Sequence, residues 1–447
     1  MASSPSSLSP PMIPMELHSL NREKLFNSLR NHLTSCARPL QGFVFLQGGE
    51  EQTRHCTDHL ELFRQESYFA YLFGVEEPGF YGAIDIASGK STLFAPRLPA
   101  DYAVWMGEIK PLPYFQEKYK VTQVYYTDEI KEVLFDQFEA TGTQLLFLLH
   151  GLNTDSNKYS KPAEFQDIEK FQTDLNTLHP ILTECRVIKS DLELALIQYA
   201  NDISSEAHVE VMRKTKVGMK EYQLESMFLH HTYMYGGCRH CSYTCICVNG
   251  KFTCDQSLIY TAVLDAHDAV ISAMRPGVSW VDMHKLAERV ILESLKKGHL
   301  LVGDVDKMMA ERLGAVFMPH GLGHLLGVDT HDPGGYLKGA ERQKEPGLSA
   351  LRMGRKLLKG MVITVEPGCY FIDALLLPSL ESPAVSEFFN HVEISRFRAF
   401  GGVRIESDVC VTSSGCVNMS KCPRKIEEIE AVMAGVPWPI KKSTLSL

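Results

Sequence analysis

Residues 318–332 hold three histidines and two aspartates, a concentration of side chains whose types and spacing can do chemistry. Histidine is the commonest metal ligand in proteins and changes its charge most easily near neutral pH. His320 and His324 are four residues apart, as in the helical zinc-protease motif, but Gly321 stands where that motif has a glutamate. Two glycines between these histidines also disfavour a helix. We therefore predict a strand and loop in which His324 binds a metal, while His320 and His331 orient it or transfer protons.

A second motif ends in a carboxylate that could join His324. The apolar residues 361–365 predict a strand that delivers Glu366 at its end, and Pro367-Gly368 predicts an immediate turn. A buried carboxylate needs a cationic partner or a metal ion. Taken alone, this pattern favours a solvated strand end before a turn, just as any one of the histidines alone would favour a polar loop without a site.

A third motif lies at residues 401–408. Alternation along a predicted strand places Arg404, Glu406 and Asp408 on one face. Alone, this motif is also typical of a solvated face that pairs arginine with glutamate. Together, His324, Glu366 and Glu406 form a mixed nitrogen and oxygen donor set, which suits Mn²⁺, Co²⁺ or Zn²⁺.

The composition limits the classes of function. A chain of 447 residues is long enough for two domains, or three. The net charge of −9 argues against a nucleic-acid partner, and no apolar run is long enough to span a bilayer. Residues 1–14 are rich in serine and proline, without a basic segment or a long apolar one, and predict a disordered tail rather than a signal peptide.

The twelve cysteines are scattered and do not predict a disulfide framework. The one cluster comprises Cys238, Cys241, Cys245 and Cys247. A zinc site there is disfavoured because no second cysteine or histidine pair lies at zinc-finger spacing, and because Cys245 and Cys247 alternate with other residues as in a strand. The cysteine usage predicts a reduced, cytoplasmic protein.

Strands alternate with helices in the first part of the chain, which predicts an α/β domain with helices covering a sheet. The predicted helices are residues 17–33 and 128–138. The predicted strands are residues 42–47, 69–74, 81–86, 91–94, 121–126 and 145–149, with a hairpin turn at Ser88-Gly89-Lys90.

The second part of the chain predicts an internal duplication. Ser190 and Glu193 mark the start of a helix. Helices at residues 191–216 and 220–231 are separated by Gly218, and helices at 255–274 and 282–297 are separated by Gly277, which puts the two pairs in register. The first pair is followed by only one predicted strand, at residues 242–247. The second pair is followed by more than a hundred residues that carry the three motifs.

The motifs resemble those of the pita-bread metallopeptidases, a family that includes methionine aminopeptidase, aminopeptidase P and creatinase. The similarity rests on His320-Gly-Leu-Gly-His324, Thr330-His331-Asp332, Val365-Glu366-Pro367-Gly368 and Arg404-Ile-Glu406-Ser-Asp408, in this order after a duplicated helix pair. It is greatest with the eukaryotic cytosolic prolidase branch, the Xaa-Pro dipeptidases. Motifs in the first half, such as Phe63-Arg64-Gln65-Glu66-Ser67 and Trp105-Met106-Gly107, also resemble that branch.

The resemblance implies a mixed α+β and α/β fold of two domains. We expect a disordered tail at residues 1–15, a creatinase-like and aminopeptidase P-like α/β domain at 16–188, and a pita-bread domain at 189–447 whose first half is truncated. It also implies hydrolysis of Xaa-Pro dipeptides, two Mn²⁺ ions and a homodimer.

Matched residue by residue, the resemblance implies that His324, Glu366 and Glu406 are metal ligands, with Glu406 bridging the two ions. Glu366 would also take a proton from the bridging water. His331 and His320 match the histidines that lie beside the scissile bond, so that these two and Glu366 form the expected catalytic set.

The resemblance also implies the substrate contacts. Arg352 matches an arginine that receives the terminal carboxylate of the dipeptide. Trp105 matches a residue that reaches the partner subunit's site in the dimer. Tyr243 and Arg404 are expected to line the substrate pocket.

One departure from the family concerns the first half of the pita-bread domain. There the family has a hairpin with two aspartate ligands and, before it, a histidine that contacts substrate. In this chain Cys247-Val248-Asn249-Gly250-Lys251-Phe252-Thr253 joins the flanking segments directly, and no aspartate lies between Tyr243 and Asp255. We therefore expect at most one weakly held ion and reduced stability. Three functions stay open: an active Mn²⁺-dependent dipeptidase, a catalytically impaired form that acts through dimerisation, and a non-enzymatic binding module.

Overall fold

A computed structural model describes residues 12–139, 145–245 and 254–439. The chain divides into two compact units, one comprising Ile13–Val187 and the other running from Ile188. Of the predicted tail, residues 1–11 lie outside the described residues, as do Cys247 and the junction at residues 247–253.

The unit Ile13–Val187 is an α/β structure. Its helices are α1 Glu16–Ser35, α2 Ser67–Phe73, α3 Tyr102–Met106, α4 Leu112–Tyr119, α5 Ile130–Glu139 and α6 Leu178–Val187. Its strands are β1 Phe43–Gln47, β2 Tyr81–Asp85, β3 Ser91–Ala95, β4 Gln123–Tyr126, β5 Leu145–Leu148, β6 Leu152–Asn153, β7 Lys158–Tyr159 and β8 Gln172–Asp174.

Six of these strands form one mixed sheet in the order β4-β3-β2-β1-β5-β8. Alternate residues of the central strand β1 enter different cores because successive strand side chains point to opposite faces. Val44 and Leu46 pack with Leu29 of α1, whereas Phe43 and Phe45 pack with residues of α5. Helices therefore cover both faces of the sheet, which confirms the predicted arrangement. The hairpin between β2 and β3 is also confirmed.

The strand predicted at residues 69–74 is wrong, because this segment forms the helix α2. The carboxylate of Glu66 accepts a hydrogen bond from the Phe69 N–H at 2.8 Å and caps the first turn. Gly74 then ends the helix in the left-handed conformation, with φ of +64°. A short apolar run that is buried on all sides carries no clear periodicity, so the sequence pattern could not separate a helix from a strand here.

The second unit carries the three chemical motifs. Its helices are α7 Asp191–Lys214, α8 Glu221–Gly236, α9 Cys254–Ala273, α10 Trp280–Lys297, α11 Val305–Ala310, α12 Gly314–Phe317, α13 Asp373–Glu381, α14 His391–Phe397 and α15 Ile426–Met433. Its strands are β9 Val362–Val365, β10 Gly368–Tyr370, β11 Gly402–Arg404, β12 Ser407–Val411 and β13 Cys416–Asn418. No described helix of the chain is long and apolar enough to cross a membrane.

The helix duplication is confirmed. Helix α7 packs on α8, and α9 packs on α10. The connections turn at Gly218 with φ of +93° and at Gly277 with φ of +89°, a conformation that favours glycine. The two pairs differ in the strands that come after them, because α9 packs on β9, β10 and β11, whereas the described residues between α8 and α9 contain no strand. A strand was predicted at residues 242–247. Residues 242–245, which the structure describes, do not form a strand, so the prediction is wrong there.

The strands after the second helix pair form two small sheets, β13-β12-β9 and β10-β11. Strands β9 and β12 are antiparallel, with Thr364 opposite Asp408, and β10 pairs with β11 so that Gly368 lies opposite Arg404. The single strand predicted at residues 401–408 is thus two strands. The chain passes from one sheet to the other between them, at residues 405 and 406.

Candidate metal centre

Three separate elements place the predicted ligands at one point. Glu366 follows β9 directly, and Glu406 lies between β11 and β12. His324 lies in a loop that runs beside β9: its carbonyl oxygen accepts the Thr364 N–H at 2.9 Å, and the Glu366 N–H donates to the Leu322 carbonyl at 2.9 Å. These backbone bonds hold the histidine loop in register with the strand that carries Glu366.

The donor atoms of His324, Glu366 and Glu406 all lie within 4.8 Å of one another. In residues 12–139, 145–245 and 254–439, this is the one group of three or more histidine, cysteine or acidic donors at metal-binding distances. The His324 Nε2 atom lies 3.3 Å from the Glu366 Oε1 atom, and the Nδ1 atom lies 3.0 Å from the Leu325 carbonyl oxygen. With its Nδ1 hydrogen donated to that carbonyl, the ring presents the Nε2 lone pair to the carboxylates, as metal-binding histidines do.

The electrostatics of the group favour a bound cation. Burial and the neighbouring carboxylates Glu366 and Asp408 raise the pKa of Glu406 to about 8. Burial also raises the pKa of Glu366, against the opposing charge of Arg404. The Arg404 guanidinium lies 3.0 Å from the Glu366 Oε2 atom and compensates only part of the negative charge of the clustered acids. A divalent ion would stabilise the ionised forms of these acids.

The two other histidines of the loop lie beside this group. The rings of His331 and His324 meet edge to face, with centroids 4.4 Å apart. The His320 Nδ1 atom lies 2.8 Å from the Gly321 carbonyl oxygen, whereas its buried Nε2 atom has no hydrogen-bond partner. Burial and the charge of Arg404 lower the pKa of His320 to about 4, so that its ring is neutral at pH 7 with an Nε2 lone pair ready to accept a hydrogen bond.

The predicted substrate contacts divide between the two units. Arg352 lies close enough to Glu366 for its charge to lower the pKa of that carboxyl. Partial burial and the nearby charges of Glu406 and Glu366 raise the pKa of Tyr243, although this residue is 61% exposed. Trp105 belongs to α3 in the other unit and is 83% exposed. The structure thus brings three of the four predicted substrate residues, Arg352, Tyr243 and Arg404, close to the predicted metal ligands.

Sequence reasoning missed two residues that hold the donors in place. The Thr364 hydroxyl donates to the Glu366 Oε1 atom at 3.1 Å and accepts the His324 N–H at 3.0 Å. The Tyr370 hydroxyl accepts a hydrogen bond from Arg404 Nε at 2.9 Å. Thr364 lies on β9 and Glu366 directly follows it, so this spacing of two residues, which places both side chains on one face of an extended chain, was a signal that could have identified Thr364.

A cavity of about 470 Å³ borders this centre on the side of the first helix pair. Its walls are apolar and polar residues of α7 and α8 together with residues from the segment 238–245, and it reaches Leu326 and Asp408. Asp408 lies two residues from Glu406, and burial raises its pKa. The side of the centre that faces α7 and α8 therefore has open space, whereas the side that faces α9 is closed by β9, β10 and β11.

Two family profiles match the chain. The profile of the aminopeptidase P N-terminal domain matches residues 18–147. The profile of metallopeptidase family M24 matches in two overlapping pieces, residues 195–254 and 244–413. Human Xaa-Pro dipeptidase is 49% identical over 471 aligned residues, which cover 95% of this chain and 94% of the human protein. The chain belongs to metallopeptidase family M24.

Other relatives of this M24 chain agree with that assignment. Mouse Xaa-Pro dipeptidase is 49% identical with the same coverage, and a probable Xaa-Pro aminopeptidase of Fusarium vanettenii is 30% identical over 88% of this chain. Aminopeptidase P from E. coli in its low-pH form is a structural neighbour with a TM-score of 0.74 and 25% identity, covering 95% of this chain and 99% of the neighbour. The predicted two-domain architecture, an aminopeptidase P-like domain followed by a pita-bread domain, is confirmed.

Proposed function

We propose that this M24 chain binds Xaa-Pro dipeptides at a metal centre reduced to one weakly held divalent ion, and that its dipeptidase activity is therefore weak or absent. The observation that carries the proposal is the cluster of His324, Glu366 and Glu406, which supplies three protein ligands and no fourth among the described residues. Xaa-Pro dipeptidases at 49% identity support the substrate class.

The residues present fit a single divalent ion. One imidazole and two carboxylates are a donor set that Mn²⁺, Co²⁺ and Zn²⁺ all accept. The tether from His324 Nδ1 to the Leu325 carbonyl fixes the ring, and the raised pKa values of Glu366 and Glu406 indicate acids that gain from a cation. We propose Mn²⁺ as the ion. Two ions would need further carboxylates to satisfy and neutralise them.

The missing ligands are inferred from the sequence near the junction. Residues 244–254 contain neither aspartate nor glutamate, and the M24 profile breaks into two pieces there. Since 95% of 447 residues is about 425, the 471 aligned positions with the human relative leave about 46 positions that have no residue of this chain. The cavity bordered by α7, α8 and residues 238–245 supports the same interpretation, because a lost pair of strands would leave a gap of this kind among the described residues.

The remaining residues have defined chemical capacities. A bound divalent ion would supply Lewis-acid activation of a water molecule and of the scissile carbonyl. Glu366 is suited to take a proton from that water, and the free Nε2 lone pair of His320 can accept a hydrogen bond from substrate. Arg352 supplies a positive charge for the terminal carboxylate of a dipeptide. With one ion, the negative charge that develops in the transition state is less well stabilised.

The test combines metal counting with catalysis on the purified full chain. Mn²⁺ titration followed by electron paramagnetic resonance should give at most one bound ion per chain. Hydrolysis of Gly-Pro should be absent or weak, and any activity should vanish in Glu366→Gln. Two tightly bound ions, or rapid hydrolysis that Glu366→Gln abolishes, would overturn the proposal of a reduced centre.

A gain-of-function variant sharpens the test. Insertion of the extra segment of human Xaa-Pro dipeptidase directly after Cys247 should raise the number of bound ions per chain to two and restore hydrolysis. A matched insertion with the aspartates of that segment changed to asparagine should again cover the helix pair α7 and α8, but it should not restore binding of the second ion. Restored metal without activity would show that the roles given to these residues are wrong.

We also propose the oligomeric state and the cellular location of the protein from its membership of the family. We expect a homodimer, with the exposed Trp105 contributing to the partner subunit's site, and a cytoplasmic protein. Size-exclusion chromatography with light scattering tests the dimer. A purely monomeric chain that still binds dipeptide would contradict the role of Trp105.

A further inference from the structure

A buried polar network is centred on α10 and does not include the predicted metal ligands His324, Glu366 and Glu406. His284 and Glu288 are four residues apart on one face of the helix, and both side chains are fully buried. The His284 Nε2 atom lies 3.2 Å from the Glu288 Oε1 atom. Arg312 donates two hydrogen bonds to the same carboxylate, at 2.7 and 2.8 Å. The carboxylate is therefore fully engaged by one histidine and one arginine.

The network ends at the histidine loop. The Leu322 N–H donates to the His284 Nδ1 atom at 3.2 Å, so Nδ1 is the acceptor and the Nε2 hydrogen points at Glu288. The carbonyl of the same residue, Leu322, accepts the Glu366 N–H at 2.9 Å. Leu322 lies midway between His320 and His324, and both of its backbone polar groups are thereby fixed.

A second contact from the same helix fixes the next residue of the loop. The Trp280 indole N–H donates to the Gly323 carbonyl oxygen at 3.2 Å, and this side chain is completely buried. Gly323 cannot carry a side chain, because an added Cβ atom would lie 1.9 Å from the Thr364 carbonyl oxygen. The loop thus lies flat between α10 and β9, and α10 holds it through directional hydrogen bonds rather than apolar packing alone.

Stability gained from the ion pair alone does not account for this arrangement. Replacing a buried ion pair with apolar residues of similar volume is often neutral or stabilising. An apolar residue at position 284 could not accept the Leu322 N–H, which would leave a buried donor without a partner. The network supplies something that packing cannot, namely a fixed acceptor for one peptide group of the loop.

We infer that His284, oriented by Glu288 and Arg312, is a positioning residue that sets the histidine loop at the spacing required for metal binding by His324 and Glu366. This inference rests on the proposed metal centre. It assigns a functional consequence to residues that touch neither the ion nor the substrate. Residues that orient metal ligands indirectly typically change metal affinity by about 10- to 100-fold when they are removed.

Two substitutions at one position separate positioning from folding. His284→Asn keeps a δ-position acceptor for the Leu322 N–H, whereas His284→Leu removes it at similar size. We expect the Mn²⁺ dissociation constant of the full chain to rise about 10- to 100-fold in His284→Leu and to stay within about threefold of wild type in His284→Asn. Leu292→Ala is the matched control, because Leu292 is fully buried on α10 and its loss destabilises the helix without removing the acceptor. Equal affinities in His284→Leu and His284→Asn would overturn the inference.

A metal-free readout keeps this test independent of the proposed function. Hydrogen exchange of the Leu322 amide, measured by mass spectrometry of peptides spanning residues 318–326, should be at least about tenfold faster in His284→Leu than in His284→Asn. If wild type itself binds no Mn²⁺, the proposed metal centre fails, and the exchange rates alone decide whether His284 positions the loop. Equal exchange rates in the two variants would overturn the positioning role.

Discussion

The ion pair between Lys189 and Asp332 offers a sharp test of how the histidine loop is supported. The Lys189 Nζ atom lies 2.9 Å from the Asp332 Oδ2 atom, and each side chain is only 1% exposed. Asp332 directly follows His331, and its own N–H donates to the Leu325 carbonyl at 2.9 Å. The pair therefore anchors the end of the loop inside the unit that starts at Ile188.

Removal of one partner leaves an uncompensated charge in the protein interior. Breaking a buried ion pair in this way costs about 3–5 kcal/mol of the free energy of unfolding. For a unit of this size, 1 kcal/mol corresponds to about 2 °C in Tm, so Lys189→Met should lower its Tm by about 6–10 °C. The double variant Lys189→Met with Asp332→Asn has no buried charge and keeps the hydrogen-bonding capacity of position 332, so it should recover at least about 2 kcal/mol of that loss.

Differential scanning calorimetry measures this effect, because it can resolve the transitions of the two units. A double-mutant cycle over wild type, the two single variants and the double variant gives the coupling energy. If Lys189→Met lowers the Tm by less than about 2 °C, or if the losses of the single variants simply add, the pair does not hold the loop as described.

Three other contacts give one prediction each. Because burial lowers the pKa of His320 to about 4, the unfolded chain binds a proton below about pH 6.5 that the folded chain does not. As the pH is lowered from 6.5 to 4, the free energy of unfolding should therefore fall by up to about 1.4 kcal/mol per pH unit. Urea unfolding of His320→Gln should lack this part of the pH dependence, and an unchanged pH dependence in that variant would refute the prediction. Thr364→Val should weaken Mn²⁺ binding about tenfold in the titration followed by electron paramagnetic resonance, because Glu366 and His324 each lose a hydrogen bond. An affinity equal to that of wild type would contradict this prediction. Ser190→Ala should cost about 1 kcal/mol by removing the N-cap of α7, and a calorimetric change below about 0.3 kcal/mol would rule out that role.

Much of the fold could be predicted from local patterns. The cap at Ser190 and Glu193 begins α7 as expected, and Gly218 and Gly277 separate the helix pairs. These features depend on backbone conformation and on hydrogen bonds between residues close in sequence, which a sequence pattern records directly. Where burial on all sides removed the periodicity, as in α2, the prediction of a strand was wrong.

The donors of the candidate site could be selected from the sequence, but their surroundings could not. His324, Glu366 and Glu406 were chosen by residue type and motif, and the fold brings them within 4.8 Å. The roles assigned to them remain predictions. Nothing local indicated that Trp280 donates to Gly323, 43 residues away in the sequence. Such pairings form only when α10 packs against the loop, so no sequence window contains both partners.

By itself, the sequence determined which residues could do chemistry and that the carboxylates expected near residue 247 are absent from residues 244–254. The tertiary structure alone decided the charge states of the candidate site residues. The pKa of Glu406 is raised because the chain crosses between two sheets at residues 405 and 406 and buries this acid beside Glu366 and Asp408. Charge states depend on distance and burial, and both are properties of elements that meet only in the folded chain.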